Sequence, residues 1–159
     1  MARTRNIRVA LVGLGFGAEF VPIYLHHPNV ADLTICDSNK AVLDEIGERF
    51  GISQRTTDLA AIIHSDEIEA VHLVTPIPLH AQQSVAILQS GKHCACTVPM
   101  ATCLEDLRAI VAAQRRSGKV YMGMETAVYT RQFLCVKEMV ARGEIGRIQC
   151  LPCITPPMR

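Results

Sequence analysis

The sequence predicts an α/β fold, a doubly wound and mostly parallel sheet with helices on both faces. Three observations carry that expectation. Short strand-like apolar runs alternate with segments of helical period along the chain. The first run, Ile7–Val12, passes directly into the small-residue turn Gly13-Leu14-Gly15-Phe16-Gly17-Ala18. The helical segments exit at glycines, namely Gly51, Gly91, Gly118 and Gly143.

Taken in order, the apolar run at 7–12 is the first strand, and a helix follows over 16–26. A second strand at 31–36 ends at Asp37. The helix at 39–50 places Val42, Ile46 and Phe50 on one face. A weaker strand near 52–56 and a helix at 58–64 lead to the strand at 69–75. Pro76 and Pro78 then stiffen a loop, and Pro78 can open the helix at 78–90. The strand at 92–97 precedes a helix at 103–117, where Thr102 and Glu105 have capping-box spacing and Leu104, Leu107 and Val111 share a face. The last strand is 119–124, and the last helix, 130–142, aligns Phe133, Val136 and Val140. The boundary is expected after residue 124, so that 125–159 is a connecting helix and the interrupted start of a second domain. A new strand begins near Arg147 but meets Pro152, Pro156 and Pro157, which remove ladder donors.

Composition bounds the function. With 159 residues, 49% apolar and 19% charged, the chain can build a real core. Sixteen basic residues nearly balance fifteen acidic ones, leaving +1, which gives no electrostatic footprint for nucleic acid or a membrane surface. The basic Arg3 and Arg5 are followed at once by a strand rather than by the apolar core of a signal peptide, and no apolar run is long enough to span a bilayer. The cytosol is the expected compartment. Of the seven cysteines, Cys36, Cys94 and Cys96 fall in strands and read as small core hydrophobes. Cys150 and Cys153 form a lone C-x-x-C without a second pair to complete a zinc site. The six histidines show no metal-ligand spacing, so no metal is expected.

The turn at 13–18 carries the chemistry. Strand, glycine turn, helix, second strand and then an acid about 20 residues on is the fingerprint of a dinucleotide-binding Rossmann unit. Gly13 permits the tight turn, and Gly15 lacks the Cβ that would keep a pyrophosphate off the backbone. Ala18 is the third small position, where helix and strand pack closely. The helix opening at Phe16 and Gly17 turns free N–H groups and a positive dipole end toward phosphates. Asp37 can accept from the adenosine ribose hydroxyls and would repel a 2′-phosphate, so NAD is expected rather than NADP. Ser38 tolerates either cofactor, and Lys40 softens the repulsion. In open α/β sheets the ligand sits at the carboxyl ends of the strands. Here that edge carries Gly13–Ala18, Asp37, Thr75-Pro76, Thr97-Val98-Pro99 and Met124-Glu125.

These landmarks together resemble the glucose–fructose oxidoreductase/inositol dehydrogenase (Gfo/Idh/MocA) family, from Ile7 to about Ile148. The matched stretches are Val-Ala-Leu-Val-Gly-Leu-Gly at 9–15, Val74-Thr75-Pro76 with His80, Ser90-Gly91-Lys92-His93, Val98-Pro99-Met100-Ala101-Thr102 and Arg142-Gly143-Glu144-Ile145-Gly146. The resemblance implies an N-terminal Rossmann domain followed by an α/β substrate domain that is essentially missing here. It implies that Thr75, Pro76 and Ile77 line the cofactor. His80 matches the family's histidine on the helix after Thr-Pro, where it bonds to the neighbouring loop or joins the cofactor site. Thr97, Val98 and Pro99 would border the nicotinamide. Members typically carry Glu-Lys-Pro at 97–99, with the lysine near the reacting carbinol, and Val98 replaces that lysine with a side chain that neither donates nor accepts. Glu125 stands where the family places polar cofactor contacts, and reads equally as an acid–base group and as the charged start of a loop.

Three functions remain open on this reading. One is an NAD-dependent oxidoreductase of a sugar, polyol or related small molecule. Another is a non-catalytic NAD(P)-binding sensor or regulatory protein. The last is a fragment that binds NAD weakly and is inactive alone. Apolar residues on the helix at 130–142 would then be exposed, and a homo-oligomer could bury them.

Overall fold

All six strands pair in parallel in the computed structural model of the chain, which describes residues 6–149. The sheet order is β3-β2-β1-β4-β5-β6. β1 (Ile7–Val12) lies between β2 (Val30–Cys36) and β4 (Ala70–Leu73), with Val12 opposite Cys36 on one side and Leu73 on the other. β3 is only Arg55–Thr56, which accounts for its weak pattern. β5 (His93–Thr97) and β6 (Tyr121–Met124) complete the sheet. Strand order reverses direction between β1 and β4, where a doubly wound sheet opens a crevice.

Side-chain alternation along β1 separates two cores. Val9 and Leu11 pack with Leu33, Ile35, Leu43 and Ile46 on one face. Ala10 and Val12 pack with Val71, Leu73, Ile87 and Ile110 on the other. Both faces are therefore covered, as an all-parallel sheet requires.

The helices are α1 (Val21–His26), α2 (Lys40–Phe50), α3 (Leu59–His64), α4 (His80–Gln89), α5 (Leu104–Ser117) and α6 (Arg131–Ala141). Two expected helices begin differently from the simple reading. A 3₁₀ segment, Phe16–Phe20, precedes α1, and another, Ile77–Leu79, precedes α4. Pro22 accounts for the first: it has no N–H to carry a ladder on from Phe16, so α-helix starts around it. The capping box at Thr102 does not form. Cys103, in extended conformation, is the N-cap of α5, and its Sγ accepts from the Asp106 amide at 3.5 Å. Gly51 and Gly118 end α2 and α5 in the left-handed conformation.

The chain divides into two units between Met124 and Glu125. In the second unit a 3₁₀ turn, Thr126–Tyr129, leads to α6, which Thr130 caps through its hydroxyl. Phe133, Leu134 and Val136 on α6 are exposed. Cys150, Cys153 and the prolines at 152, 156 and 157 lie outside the described residues. Among the described residues no helix is long and apolar enough to cross a membrane, and no cluster of histidine, cysteine and carboxylate could hold a metal ion.

Candidate functional site

Gly13 leaves β1 with φ +89°, a conformation that L side chains rarely adopt. A Cβ there would lie 2.6 Å from the Val74 carbonyl oxygen, so the glycine turn fits against the end of β4 only without a side chain. Gly15 is the opposite case: a Cβ on it would meet nothing within 4 Å. Its backbone faces an open groove and leaves room for a group to approach. Gly17 is buried, and a Cβ on it would come 3.3 Å from the Val74 Cβ. The close helix-to-sheet approach expected at Ala18 therefore centres on Gly17, while Ala18 is half-buried beside the Leu11–Leu33 core. Phe16 projects outward, 60% exposed, with its ring edge-on to Phe20.

Asp37 follows β2 and is tied to the glycine turn. Its Oδ2 accepts from the Leu14 amide at 2.7 Å and its Oδ1 from the Asn39 amide at 2.8 Å. Each oxygen keeps a further lone pair for a hydroxyl donor. The carboxylate thus holds the turn and still borders the groove. Ser38 lies beside it, exposed.

This groove measures about 540 Å³. It runs from Gly13, Gly15, Asp37 and Ser38 across to Thr75 and Pro76. Thr57, Leu59, Leu79 and Gln83 complete the wall, and sequence reasoning had not singled them out. Gln83 alone carried a usable signal: it stands three residues after His80, on the helical face turned toward the 75–76 loop. The Thr75 hydroxyl donates to Gln83 Oε1 at 2.6 Å.

Other expected site residues fall outside the groove lining. His80 is buried, with Nε2 2.7 Å from the Thr75 carbonyl oxygen and Nδ1 2.8 Å from the Pro99 carbonyl oxygen. It presents no free ring nitrogen to a ligand, and it joins the loop after β4 to the loop after β5. The bonding to a neighbouring loop is the structural half of its expected role; the direct cofactor contact is not made available by this geometry. Thr97 turns its hydroxyl inward to the Leu73 carbonyl at 3.2 Å. Val98 is 44% exposed and precedes Pro99 through a cis peptide bond. Ile77 is exposed in the 3₁₀ segment. Glu125 opens the second unit, where Oε1 accepts from the Ala127 amide at 2.9 Å and caps the turn that follows.

Two further motif residues are structural ties. Lys92 is buried, and its Nζ donates to the Ser65 carbonyl at 2.6 Å. His93 Nδ1 accepts from the Val120 amide at 3.1 Å. Both lie where β5 begins, at the edge away from the groove. His72 is also buried, as a core histidine: Nδ1 is 3.0 Å from the Tyr24 hydroxyl, Nε2 has no partner, and burial pushes its pKa down to about 4. Burial pushes the Cys36 thiol up to about 11 and Cys94 up to about 12, in keeping with inert core thiols.

A family model described as "Oxidoreductase family, NAD-binding Rossmann fold" matches residues 7–124. A glycosyl hydrolase family 109 protein of Shewanella baltica is 32% identical over 152 residues, covering 89% of this chain and 33% of that protein. A 4-carboxy-2-hydroxymuconate-6-semialdehyde dehydrogenase of Sphingobium is 26% identical, covering 88% of this chain and 45% of that protein. Among solved structures, the WlbA dehydrogenase of Bordetella pertussis, in complex with NADH and UDP-GlcNAcA, superposes with a TM-score of 0.76 at 28% identity, over 90% of this chain and 42% of that one. The chain thus spans less than half the length of each.

Proposed function

The chain belongs to this oxidoreductase family with its NAD-binding Rossmann fold, and from that premise we propose that it is the dinucleotide-binding part of an NAD-dependent dehydrogenase. The substrate class we propose is a sugar, polyol or related small molecule. One observation carries the reading: the turn at Gly13, the open backbone of Gly15 and the Asp37 carboxylate meet in a single groove at the switch point of the sheet.

The residues fit the cofactor. Gly15 leaves space that a Cβ would fill, and at the opening of the following turn the Ala18 amide donates to the Leu14 carbonyl while the amides of Phe16 and Gly17, which precede it, suit a pyrophosphate. Asp37 would accept from ribose hydroxyls and disfavour a 2′-phosphate. The bound cofactor would accept or supply hydride at its nicotinamide ring; this chain binds and orients it. The loop at Thr97–Pro99 would border the nicotinamide. Glu125 is the carboxylate we propose for proton transfer, with Oε1 already accepting from the Ala127 amide and Oε2 left for a substrate. The kinship with a glycosyl hydrolase and with a dehydrogenase that binds a sugar nucleotide supports a sugar-like substrate.

A non-catalytic NAD(P)-binding sensor is the second reading. It is favoured by the 97–99 loop, where Thr97 is bonded to backbone and Val98 is aliphatic, so neither moves a proton. Calorimetric titration with NAD and NADP tests the binding shared by both. Saturable NAD binding that is tighter than NADP binding, and lost in Asp37→Ala and Gly15→Val, supports it; no binding of either dinucleotide overturns it. Turnover of any polyol would then exclude the sensor. The exposed Phe133, Leu134 and Val136 suit self-association. Sedimentation showing a monomer at high concentration would remove that proposal.

A further inference from the structure

The sheet has two edges and guards only one of them. β3, at one edge, is Arg55–Thr56, short and charged. Shortness and charge are how natural edge strands avoid pairing with another chain. β6, at the other edge, is Tyr121-Met122-Gly123-Met124, with no charge and no proline. Met122 is 45% exposed, and Val120 just before the strand is 60% exposed.

The aim of the β6 backbone follows from Val120. Its carbonyl accepts from the Cys94 amide at 3.0 Å and its amide donates to His93 Nδ1 at 3.1 Å, so Val120 faces β5. Backbone groups alternate along a strand, so Met122 and Met124 also turn their N–H and C=O to β5. Tyr121 and Gly123 therefore turn theirs to the free edge. Two copies of β6, laid antiparallel about a twofold axis at Met122, set Tyr121 of one opposite Gly123 of the other. Each such pair exchanges both its N–H···O bonds. On one face of the joined strands Met122 meets its own copy and Val120 meets Met124. On the other face Tyr121 meets a glycine, which has no side chain to crowd it.

The helix that leads into this edge is self-complementary too. α5 turns Asp106 and Ala109 to a groove against α4, and Ile110 and Ala113 to the core. Its remaining flank is an apolar hollow at Leu104, Leu107 and Val111, of which Leu104 and Val111 are exposed. α4 joins β4 to β5 and α5 joins β5 to β6, so the flank away from α4 lies toward the free edge. The first turn of α5 carries Glu105 and Asp106, and its last turn Arg115 and Arg116. The same twofold axis runs α5 antiparallel to its copy, with acidic first turn beside basic last turn.

We propose that β6 and α5 form an interface with a second copy of this chain, joining the two sheets across β6. Backbone pattern, apolar flank and charge all fit that one partner. The interface uses neither the cofactor groove nor α6.

The test is sedimentation of the full chain, with Phe133→Ser beside the wild type to separate association through α6. A dimer should persist in Phe133→Ser. Gly123→Pro removes an N–H that points away from β5, and a Cβ there meets nothing within 4 Å, so the β5 ladder stays whole. It should raise the dissociation constant by about tenfold. Met122→Lys sets like charges against each other on the axis and should weaken the dimer as well. Met122→Cys should oxidise to a dimer linked at position 122, mapped by mass spectrometry, since the Cα atoms of such a pair lie about 4.5 Å apart. In the wild type the Tyr121 and Gly123 amides should exchange slowly, and the Tyr121 amide quickly in Gly123→Pro. A monomer at high concentration overturns the proposal. So does a monomer in which those two amides still exchange slowly, because the edge is then covered from within its own chain. A dimer that survives both Gly123→Pro and Met122→Lys, that is lost in Phe133→Ser, or that forms no link at 122 overturns the assignment to β6.

Discussion

Beyond β1, β2 and β4 the carboxyl edge of the sheet is hollow, with Gly15 open and Asp37, Thr75 and Gln83 turned to a common groove. Beyond β5 the same edge is tied to the backbone behind it. Thr97 donates to Leu73, the Pro99 carbonyl faces His80, and the exposed residue between them is Val98. The same fold has therefore spent its polar groups in two ways. At the first end they remain available to a ligand, whereas at the second they hold the loop. In the proposed function the first end grips a cofactor, and the second shapes the space where another domain would bring its chemistry.

The hardest blow to the hollow end is Gly13→Val. It places a branched side chain at φ +89° with its Cβ 2.6 Å from a carbonyl oxygen. We expect a loss on the order of 3 kcal/mol in urea unfolding and no measurable NAD binding. If the variant keeps both, the turn is not what shapes the groove. His80→Ala attacks the link between the two ends. It removes the ring that lies between the Thr75 and Pro99 carbonyls and empties a buried site, for about 2–4 kcal/mol. Hydrogen exchange should quicken around 75–76 and 97–99 together, and a change in one loop alone would break the linkage.

Acid separates the ends next. His72 lies on β4 against Phe20 and Tyr24, behind the hollow end. Its folded pKa of about 4 is below the ordinary 6.5. Between those values the unfolded chain binds the proton that the folded chain refuses. Its contribution is complete above pH 6.5 and shrinks as pH falls toward 4. The difference between pH 7 and pH 5 should be about 2 kcal/mol, seen in urea midpoints and absent in a His72→Phe variant that still folds. The smallest effect belongs to the other end. Val98→Lys, on an exposed position, should change stability by less than about 0.5 kcal/mol, and NAD affinity in calorimetry should stay unchanged. A large effect of either kind would show that Val98 is more than a loop residue.

The sheet was legible because its signals are local. Alternation, glycine exits and apolar faces locate the six strands and six helices of the described residues to within a few residues. The turn at Gly13 and the acid at Asp37 were legible for the same reason, since their spacing along the chain encodes the chemistry. What stayed hidden depends on contacts between distant segments. That Asp37 also braces Leu14, that His80 spans two loops, and that Gln83 faces Thr75 are facts about how strand ends converge. The spacing of Gln83 from His80 points it toward the 75–76 loop, but only the folded strand ends show that it meets the Thr75 hydroxyl. The shift of close packing from Ala18 to Gly17 follows from the 3₁₀ start imposed around Pro22, which turns the helix relative to the expected α-helical phase.

The seating of β1 beside β4 has a consequence for how the chain comes to be folded. Val9 lies opposite Ala70 and Val12 opposite Leu73, so this pairing closes a loop of about 60 residues. While the polypeptide leaves the ribosome, β1 can pair with β2 early, but its other edge must wait for β4 to emerge. Until then an open hydrogen-bonding edge is exposed in an apolar strand, a site where a chaperone would bind or aggregation would begin.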